Sequence, residues 1–570
     1  MTNKTINTRT RFHQKMVAAA LMLAALCPVL WTQPAAAGGD ASLADTVRQA
    51  VESDRSGACL AVAIIDKGVD DVDIEQAFVC ADAGNESRIG PSAAFEIGSV
   101  TKTMTTTLLA ALIDEGEASL DDPLAVFLPD GARVPEWQGQ PILLRHVVTH
   151  SSGLPPLPPG VDPANPMDPY ADMKPQEVIE ALGRVELDGP PGERPGYSNF
   201  AFMLLSQGLE NRTGTGTEFE TLLNQDLFAP LGMENAYITH RPEEVEAAAG
   251  HWPGGQAVPA WNFPSGMAGV GGVRATLSDM VAWVQAQIDP DTDTLIGRAI
   301  ALTHENVEVA EPLAEGMGWF IRGEGEGRTL WHEGGTGGFS SLVAFQPASK
   351  RGVVVLADTA LTDTGGLGEL GMHLLDGSVP LPEPRRRVSA DRALLDALAG
   401  NYRLSGGLTM ELTHENGDLY IQAAGQPRFR MSHDSRGDFY PLQFSALLRP
   451  VERADGRWLF TWHQGGGVQQ ARRVDSDKAP EPAKLDEDTL ADYEGVYSLA
   501  PQFDLSVKAS SGRLEARATG QGWFELEATG EDVFEAPAWD IVIRFRRDGQ
   551  GRVTALALHQ AGHETIGEKQ

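Results

Sequence analysis

A serine and a lysine three residues apart, Ser99 and Lys102, are the pair best suited to chemistry in this 570-residue sequence. A seryl hydroxyl is a poor nucleophile at neutral pH, so acyl transfer needs a neighbouring base and backbone N–H groups that stabilise the oxyanion. Small and apolar residues at helical spacing follow in 103–113. They predict that Ser99 opens a helix and that Lys102 lies one turn on, on the same face. The pair therefore predicts a serine nucleophile with a base beside it.

Two further motifs, Tyr197-Ser-Asn199 and His332-Glu-Gly334, follow at separations that would let all three converge. Ser-x-x-Lys alone is weak, since composition gives it about once in a chain of this length. The surrounding residues add to it through the runs Leu143–Leu154, Pro195–Phe200, Leu231–Met233 and His332–Phe339. Over about residues 43–375 the chain resembles the penicillin-recognising serine hydrolases, and within them the class C β-lactamase-like branch.

The resemblance implies a role for the first two motifs. Ser99 would accept the acyl group, and its proton would pass to a base formed by Lys102 and Tyr197. A free phenol has a pKa of about 10, and a neighbouring ammonium stabilises its phenolate. Lys102 would therefore activate Tyr197, or the two roles would be reversed. Asn199 would hold Lys102 and the substrate carbonyl through its side-chain amide.

His332 occupies the position that is lysine in β-lactamases and in many cell-wall transpeptidases and carboxypeptidases. Lysine offers a permanent cation to a substrate carboxylate, whereas a histidine is only about one tenth to one fifth charged above pH 7. The resemblance also implies an oxyanion hole of the Ser99 and Gly335 backbone N–H groups, with Gly334 and Thr336 binding substrate. We expect an esterase or D-amino-acid peptidase that acts on small esters, peptides or amides.

Other functions stay open at this point. The chain could be a β-lactamase or a D-alanyl-D-alanine carboxypeptidase, or a binding module whose hydrolase domain is inactive. His146 and His150 lie four residues apart, like zinc ligands on one helix face. No third ligand is evident, so we interpret both as structural and expect no metal and no cofactor.

The first 37 residues have the pattern of a secretory signal. Four basic residues precede an apolar run over 16–30, and Ala35-Ala-Ala37 supplies a cleavage site. Removal of this segment leaves 41 basic against 79 acidic residues, a net charge of −38. Such a surface repels nucleic acid and anionic lipid. We expect a periplasmic or secreted protein with no membrane anchor and a small-molecule ester or peptide as its partner.

Cys59 and Cys80 are the two cysteines that remain after the signal segment. They flank strand-like runs of a hairpin that would turn near Val69 and Asp70, which would set the two cysteines roughly opposite one another. A cross-strand disulfide fits an exported protein. Two reduced core thiols are the alternative.

The elements that must position the motifs are strands at both ends of residues 38–378 and helices between them. Helical patterns cover 43–51, 101–115, 200–210 and 278–287, whereas strand patterns cover 59–65 and 339–358. This order predicts an α+β domain, in which an antiparallel sheet is flanked by helices and a helical subdomain is inserted between its strands. The catalytic cleft would lie between sheet and subdomain.

An internal repeat with a constant offset of 95 residues follows this domain. Gly400-Asn-Tyr402 recurs as Gly495-Val-Tyr497, and further glycines match at the same offset. Short β-rich runs with glycine and aspartate turns predict two small antiparallel barrels or sandwiches, over 391–475 and 487–570, after linkers at 379–390 and 476–486. This layout resembles the D-aminopeptidases of the family, which implies that a barrel loop narrows the cleft.

Overall fold

The computed structural model of the protein describes residues 41–570, apart from 69–70, 162, 213–216, 310–315, 406–407, 454–456, 465–466, 475–486, 501–502, 511, 520–522, 531, 537–540, 549 and 561–562. The predicted signal segment 1–37, the predicted turn at Val69 and Asp70 and the predicted linker 476–486 lie outside the described residues. Within the described ranges, no helix combines the length and apolar character needed to span a bilayer.

Six strands of the N-terminal part form one antiparallel sheet. They are β1 (Cys59–Lys67), β2 (Val72–Cys80), β3 (Phe320–Arg322), β4 (Thr329–Gly335), β5 (Ser340–Gln346) and β6 (Arg351–Ala357). Their spatial order is β3-β4-β5-β6-β1-β2, so strands from the two ends of the domain meet where β1 pairs with β6. Cys59 lies opposite Cys80 in the β1–β2 ladder, and a disulfide joins the two.

Helices cover both faces of this sheet. The α-helices of the described residues are α1 (Leu43–Val51), α2 (Thr101–Asp114), α3 (Leu144–Val148), α4 (Pro175–Leu182), α5 (Asn199–Arg212), α6 (Phe219–Leu223), α7 (Ala229–Leu231), α8 (Leu277–Ile288), α9 (Leu295–Thr303), α10 (Gly368–Asp376), α11 (Arg392–Leu398) and α12 (Glu487–Ala491). Apolar residues of α1 and α10 share one core cluster with alternate residues of β5 and β6. Val284 and Ile288 of α8 pack against Gly352 on the other face. The predicted α+β domain, with helices inserted between β2 and β3, is confirmed.

Eight strands close the first C-terminal barrel. They are β7 (Gly400–Leu404), β8 (Thr409–Glu415), β9 (Asp418–Ala423), β10 (Arg428–Asp434), β11 (Phe439–Pro441), β12 (Leu447–Glu452), β13 (Trp458–Gln464) and β14 (Gly467–Arg473). Pairing of β7 with β14 and of β10 with β11 completes the ring, and the short strand Arg387–Val388 adds to β10.

The second barrel repeats this plan. Its strands are β15 (Gly495–Ala500), β16 (Phe503–Ser510), β17 (Arg513–Ala518), β18 (Phe524–Gly530), β19 (Val533–Ala536), β20 (Ile541–Arg547), β21 (Val553–Gln560) and β22 (His563–Lys569). In each barrel a buried tyrosine of the first strand donates a hydrogen bond to the carbonyl four residues earlier, 2.8 Å away: Tyr402 to Leu398, and Tyr497 to Tyr493. The helices α11 and α12 precede the two barrels at the same 95-residue offset, so the predicted repeat is a repeated helix and barrel.

A buried ion cluster joins the first barrel to the N-terminal domain. Arg55 lies 2.7 Å from Asp434, and both side chains are almost fully excluded from solvent. The Arg55 guanidinium also lies over the Tyr440 ring, 3.5 Å from its centroid. Arg385, in the predicted linker 379–390, lies 3.2 Å from Asp434 and 2.7 Å from Asp438. The linker is therefore part of a packed interface rather than a spacer.

Candidate active site

The serine lies on a tight turn that leads into a buried helix. The turn Gly98–Val100 follows the short strand Ala93–Glu96, and α2 begins directly after it. Gly98 has a φ of 50°, and a Cβ added there would lie 2.7 Å from the Gly335 nitrogen. Only glycine allows this approach without strain. The turn therefore brings Ser99 beside the end of β4, where Gly335 lies.

Lys102 is fully buried and lies beside Ser99. Its Nζ is 2.8 Å from the Ser99 Oγ and 2.7 Å from the Val270 carbonyl oxygen. Burial holds the pKa of Lys102 well below its usual value, because an ammonium without a carboxylate partner is costly away from water. A neutral amine has a lone pair that can accept the Ser99 proton, so the geometry favours Lys102 as the base.

Tyr197 lies in the segment directly before α5, with its ring centroid 5.0 Å from the Lys102 Nζ. Part of the ring is accessible to solvent, but the protein packed around the hydroxyl raises the pKa of Tyr197, and a hydrogen bond with Ser99 only partly opposes this. The sequence left open whether Lys102 or Tyr197 is the base. Because burial lowers the pKa of Lys102 and raises that of Tyr197, the structure favours Lys102 as the base and Tyr197 as a neutral phenol able to donate a proton.

Asn199 is the first residue of α5, and its Oδ1 is buried. This oxygen has no hydrogen-bond partner among the described residues, and the Lys102 Nζ donates to the Ser99 Oγ and the Val270 carbonyl oxygen. The predicted hold of Asn199 on Lys102 is thus not seen. Its contact with a substrate carbonyl stays a prediction.

His332 lies on β4, and 2 % of its surface is exposed. Its Nδ1 is 2.6 Å from the Glu333 carbonyl oxygen, so Nδ1 carries the proton and Nε2 is the unprotonated nitrogen. Burial, followed by the proximity of Lys102, lowers the pKa of His332 to about 3. The ring is therefore neutral at physiological pH, more completely than the sequence predicted.

The glycines after His332 serve close packing inside the protein. A Cβ at Gly334 would collide with the Ile97 carbonyl oxygen and the Ser341 hydroxyl, and one at Gly335 would lie 2.6 Å from the Thr362 hydroxyl. The sequence predicted that a substrate approaches Gly334, but the protein itself fills the space in the Cβ direction of this residue. Thr336 follows as a mostly buried residue, and its contact with substrate stays a prediction.

An aromatic wall borders the site, and sequence reasoning did not find it. Tyr170 packs edge-on against Trp261, with 5.4 Å between centroids, and stacks on Phe263 at 4.6 Å. The Trp261 indole nitrogen lies so close to Gly337 that a Cβ there would meet it at 2.5 Å. These residues belong to irregular segments without periodicity, so no sequence signal marks them.

His146 and His150 have different partners. The His146 Nδ1 accepts a hydrogen bond from the Leu143 N–H at 3.1 Å, at the start of α3. The His150 Nδ1 accepts one from the Ser198 N–H at 3.2 Å, and its ring stacks on Tyr197. Among the described residues, no group of three or more histidines, cysteines and acids is arranged to hold a metal ion.

Comparison with known families places two segments of the chain. The family model described as "Beta-lactamase" matches residues 43–369. A domain family of unknown function (DUF3471) matches residues 479–569, which covers the second barrel. The 95-residue repeat relates the first barrel to the same kind of unit.

Three of the known relatives match between 53 % and 73 % of the chain. The D-alanyl-D-alanine-carboxypeptidase/endopeptidase AmpH of Escherichia coli K12 is 31 % identical over 320 residues, which are 53 % of this chain and 81 % of AmpH. Penicillin-binding protein 4* of Bacillus subtilis 168 is 24 % identical over 429 residues, 71 % of this chain and 93 % of that protein. The octameric penicillin-binding protein homologue of Pyrococcus abyssi has a TM-score of 0.47 and 23 % identity, and covers 73 % of this chain and 96 % of its own.

Proposed function

Because the chain belongs to the Beta-lactamase family of serine hydrolases, we propose that it hydrolyses small esters or peptide amides through an acyl-enzyme on Ser99. The observation that carries the proposal is the 2.8 Å contact between the Ser99 Oγ and a fully buried Lys102 amine. A neutral amine at this distance can take the seryl proton as Oγ attacks the substrate carbonyl.

The remaining steps use groups beside this pair. Attack converts the carbonyl into an oxyanion, which the backbone N–H groups of Ser99 and Gly335 would stabilise. Tyr197, a neutral phenol, would give its proton to the departing alkoxide or amine and regain one from the Lys102 ammonium. A water molecule then gives a proton to the Lys102 amine as its oxygen attacks the acyl-enzyme. The bond between the acyl carbon and the Ser99 Oγ breaks, the acid leaves, and the Lys102 ammonium returns the proton to Oγ.

The charge state of the site supports uncharged substrates. Burial lowers the pKa of Lys102 and of His332, which disfavours a positive charge on either side chain. Arg274 donates a hydrogen bond to the Trp261 carbonyl oxygen at 2.6 Å, and its positive charge is paired with the buried Glu96 carboxylate at 3.5 Å. A substrate carboxylate would therefore lack the fixed cation that lysine supplies at the His332 position in β-lactamases. This favours an ester, an amide or the amino-terminal part of a D-peptide.

A panel of substrates tests the proposal with two matched serine variants. We expect the unaltered protein to hydrolyse a short-chain p-nitrophenyl ester or a D-alanine anilide. We expect Ser99→Ala to lose at least about a thousandfold in kcat and Ser349→Ala, in a turn far along the chain, to lose none. The same panel contains one substrate as carboxylate and as amide, and we expect the amide to have the higher kcat/KM. Turnover by Ser99→Ala would contradict the mechanism, and preference for the carboxylate would contradict the substrate class.

A second candidate is a β-lactamase or a D-alanyl-D-alanine carboxypeptidase. The observation that favours it is the 31 % identity with AmpH, whose name gives it such an activity. A chromogenic cephalosporin and a dipeptide ending in D-alanyl-D-alanine distinguish the two candidates. A higher kcat/KM for the cephalosporin or the dipeptide than for the ester and the anilide would favour the second candidate function over the first.

We further propose that the protein acts in the periplasm or outside the cell. The signal-like segment 1–37 and the Cys59–Cys80 disulfide support this, because disulfides persist in oxidising compartments. Fractionation of the host tests it. A cytoplasmic protein that retains residues 1–37 would contradict it.

A further inference from the structure

We propose that His150 is a positioning residue that holds the Tyr197 phenol against Ser99 and Lys102. Three separate contacts tie His150 to the segment that carries this phenol. The His150 carbonyl accepts a hydrogen bond from the Gly196 N–H at 2.6 Å. Its ring stacks on the Tyr197 ring, with 4.2 Å between centroids and 29° between planes. Its Nδ1 accepts a hydrogen bond from the Ser198 N–H at 3.2 Å.

The backbone conformation of His150 allows all three contacts to form. Its φ is 51°, a left-handed conformation that is uncommon for residues other than glycine but that histidine, like asparagine and aspartate, adopts more often than most. The conformation follows the end of α3 and places carbonyl and ring on the same neighbouring segment. Because one residue holds the residues before, at and after Tyr197, the phenol cannot rotate or shift without breaking a contact to His150.

The protonation state of His150 completes the arrangement. Since Nδ1 accepts from an N–H group, the proton of the neutral ring lies on Nε2. Nε2 is buried and has no hydrogen-bond partner within the described part of the chain. Burial, and then the nearby Lys102 and His332, hold the pKa of His150 well below its usual value. A neutral ring keeps Nδ1 as an acceptor for the Ser198 N–H and places no positive charge beside Tyr197 and Lys102.

Two substitutions separate the contacts. His150→Asn tolerates the left-handed backbone and supplies a side-chain oxygen for the Ser198 N–H, but it removes the stack on Tyr197. His150→Phe keeps the stack and removes the acceptor. His304→Asn is the matched control, since His304 is also a buried, aromatic-packed histidine, with Nε2 2.9 Å from the Gln287 Oε1.

We expect both His150 variants to lose about 10- to 100-fold in kcat with little change in KM, and to shift the pH dependence of kcat. His304→Asn should lower the unfolding temperature without changing the pH dependence. A fall in kcat within twofold for both His150 variants would overturn the proposal. So would a loss with an unaltered pH profile, because that is the result of a purely structural role.

A double-mutant cycle with Tyr197→Phe distinguishes positioning of the phenol from general packing. Without the hydroxyl, its position no longer matters, so His150→Asn should cost less than about twofold in the Tyr197→Phe background. An equal cost in both backgrounds would contradict the proposal. If the His150 variants do not fold, nitrogen-15 spectra of the histidines in the unaltered protein test the proposal through the protonation state of His150. The ring that contacts Tyr197 should be neutral with its proton on Nε2 from pH 6 to 9, and a proton on Nδ1 would overturn the assignment.

The positioning role of His150 rests on the proposed hydrolase mechanism, but different results would contradict each of them. Labelling of the unaltered protein by a fluorophosphonate, with Ser99→Ala as the unlabelled control, establishes the nucleophile without reference to His150. Intact labelling together with additive effects in the cycle would remove the positioning role alone. Absence of labelling and of turnover would remove the mechanism itself.

Discussion

Lys102 is a lysine whose surroundings disfavour its positive charge. The Nζ contacts one hydroxyl and one carbonyl oxygen, and no part of the side chain reaches solvent. In the unfolded chain the same amine has a pKa of about 10.4. The folded protein therefore disfavours the protonation that water would allow, and this leaves the amine lone pair available to take the Ser99 proton. The same property makes the residue unfavourable for stability.

The first consequence at the residue scale concerns Lys102→Met. The folded pKa lies below the unfolded value, so between the two the unfolded chain binds more protons and the free energy of unfolding rises with pH. Full stability from this group is present only above the unfolded pKa. Methionine has no charge to lose, so we expect Lys102→Met to be inactive but more stable by about 1–3 kcal/mol at pH 7. The gain should shrink as the pH approaches 10.

Thermal unfolding at pH 7 and at pH 9.5 checks this expectation. Lys350→Met is the matched control, because Lys350 is a solvent-exposed lysine paired with Asp289 at 3.3 Å. It should give no comparable rise in unfolding temperature at either pH. A Lys102→Met protein that is less stable than the unaltered one at pH 7 would show that the amine is protonated in the folded state.

Strand β4 connects the site to the rest of the sheet through side chains that alternate between its faces. His332 lies on the active-site side, whereas the neighbouring Glu333 accepts hydrogen bonds from backbone N–H groups of Leu367 and Gly368 at the start of α10. Burial raises the pKa of Glu333 to about 7 in spite of these bonds. On the site side, β4 approaches the turn at Gly98 so closely that glycine is required at Gly334 as well. The position of this strand relative to the turn sets the geometry around Ser99.

At the scale of this element, Gly334→Ala tests the close approach. The added Cβ would collide with the Ile97 carbonyl oxygen, a backbone atom that cannot move without moving the turn. We expect at least about a tenfold fall in kcat, together with a lower unfolding temperature. Gly327→Ala, a few residues before β4, has open space around the added Cβ and should change neither quantity. Equal kcat values for the two variants would show that the spacing of strand and turn does not control the reaction.

The sequence predicted elements whose signals are local. The first helix was predicted over 43–51 and is observed as Leu43–Val51, and the β1–β2 hairpin follows from two strand-like runs. The family motifs located Ser99, Lys102 and Tyr197, which the structure brings together. The hold of His150 on Tyr197 was not predicted, because a histidine in an irregular segment has no pattern that names its partner. The lowered pKa of Lys102 could not be predicted from the sequence either, because it depends on burial that only tertiary packing creates.

At the scale of the whole molecule, two duplicated barrels are joined to the hydrolase domain and to each other through charged side chains. Arg453 of the first barrel lies 2.9 Å from both Glu527 and Glu535 of the second. Arg55 and Asp434 join the hydrolase domain to the first barrel across 379 residues of sequence. No local pattern predicts such a pair, so from the sequence the segment 379–390 could be predicted only as a linker.

The buried cluster predicts a large stability effect from a small change. Asp434→Asn keeps the shape of the side chain but leaves Arg55 buried without its acidic partner and Arg385 with Asp438 alone. We expect a loss of about 3–5 kcal/mol in the free energy of unfolding, because an unpaired buried charge is costly. Urea unfolding measures it, and Asp418→Asn, which removes an exposed pair with Arg430 in the same barrel, should leave the midpoint unchanged. Similar midpoints for both variants would mean that the cluster does not hold the domains together.

The guanidinium of Arg55 has a consequence for anyone who wishes to study the hydrolase domain in isolation. Both of its terminal nitrogens are buried without a hydrogen-bond partner among the described residues. Its ion-pair partner Asp434 and the Tyr440 ring beneath it both belong to the first barrel. A shortened chain that stops before the barrel would expose the packed surface and leave this arginine uncompensated. Aggregation or altered turnover of the shortened protein would then result from the unpaired charge of Arg55 as much as from the loss of the barrels. A shortened chain would be a fair comparison only if it also carried Arg55→Gln, with the same substitution in the full-length protein as its reference.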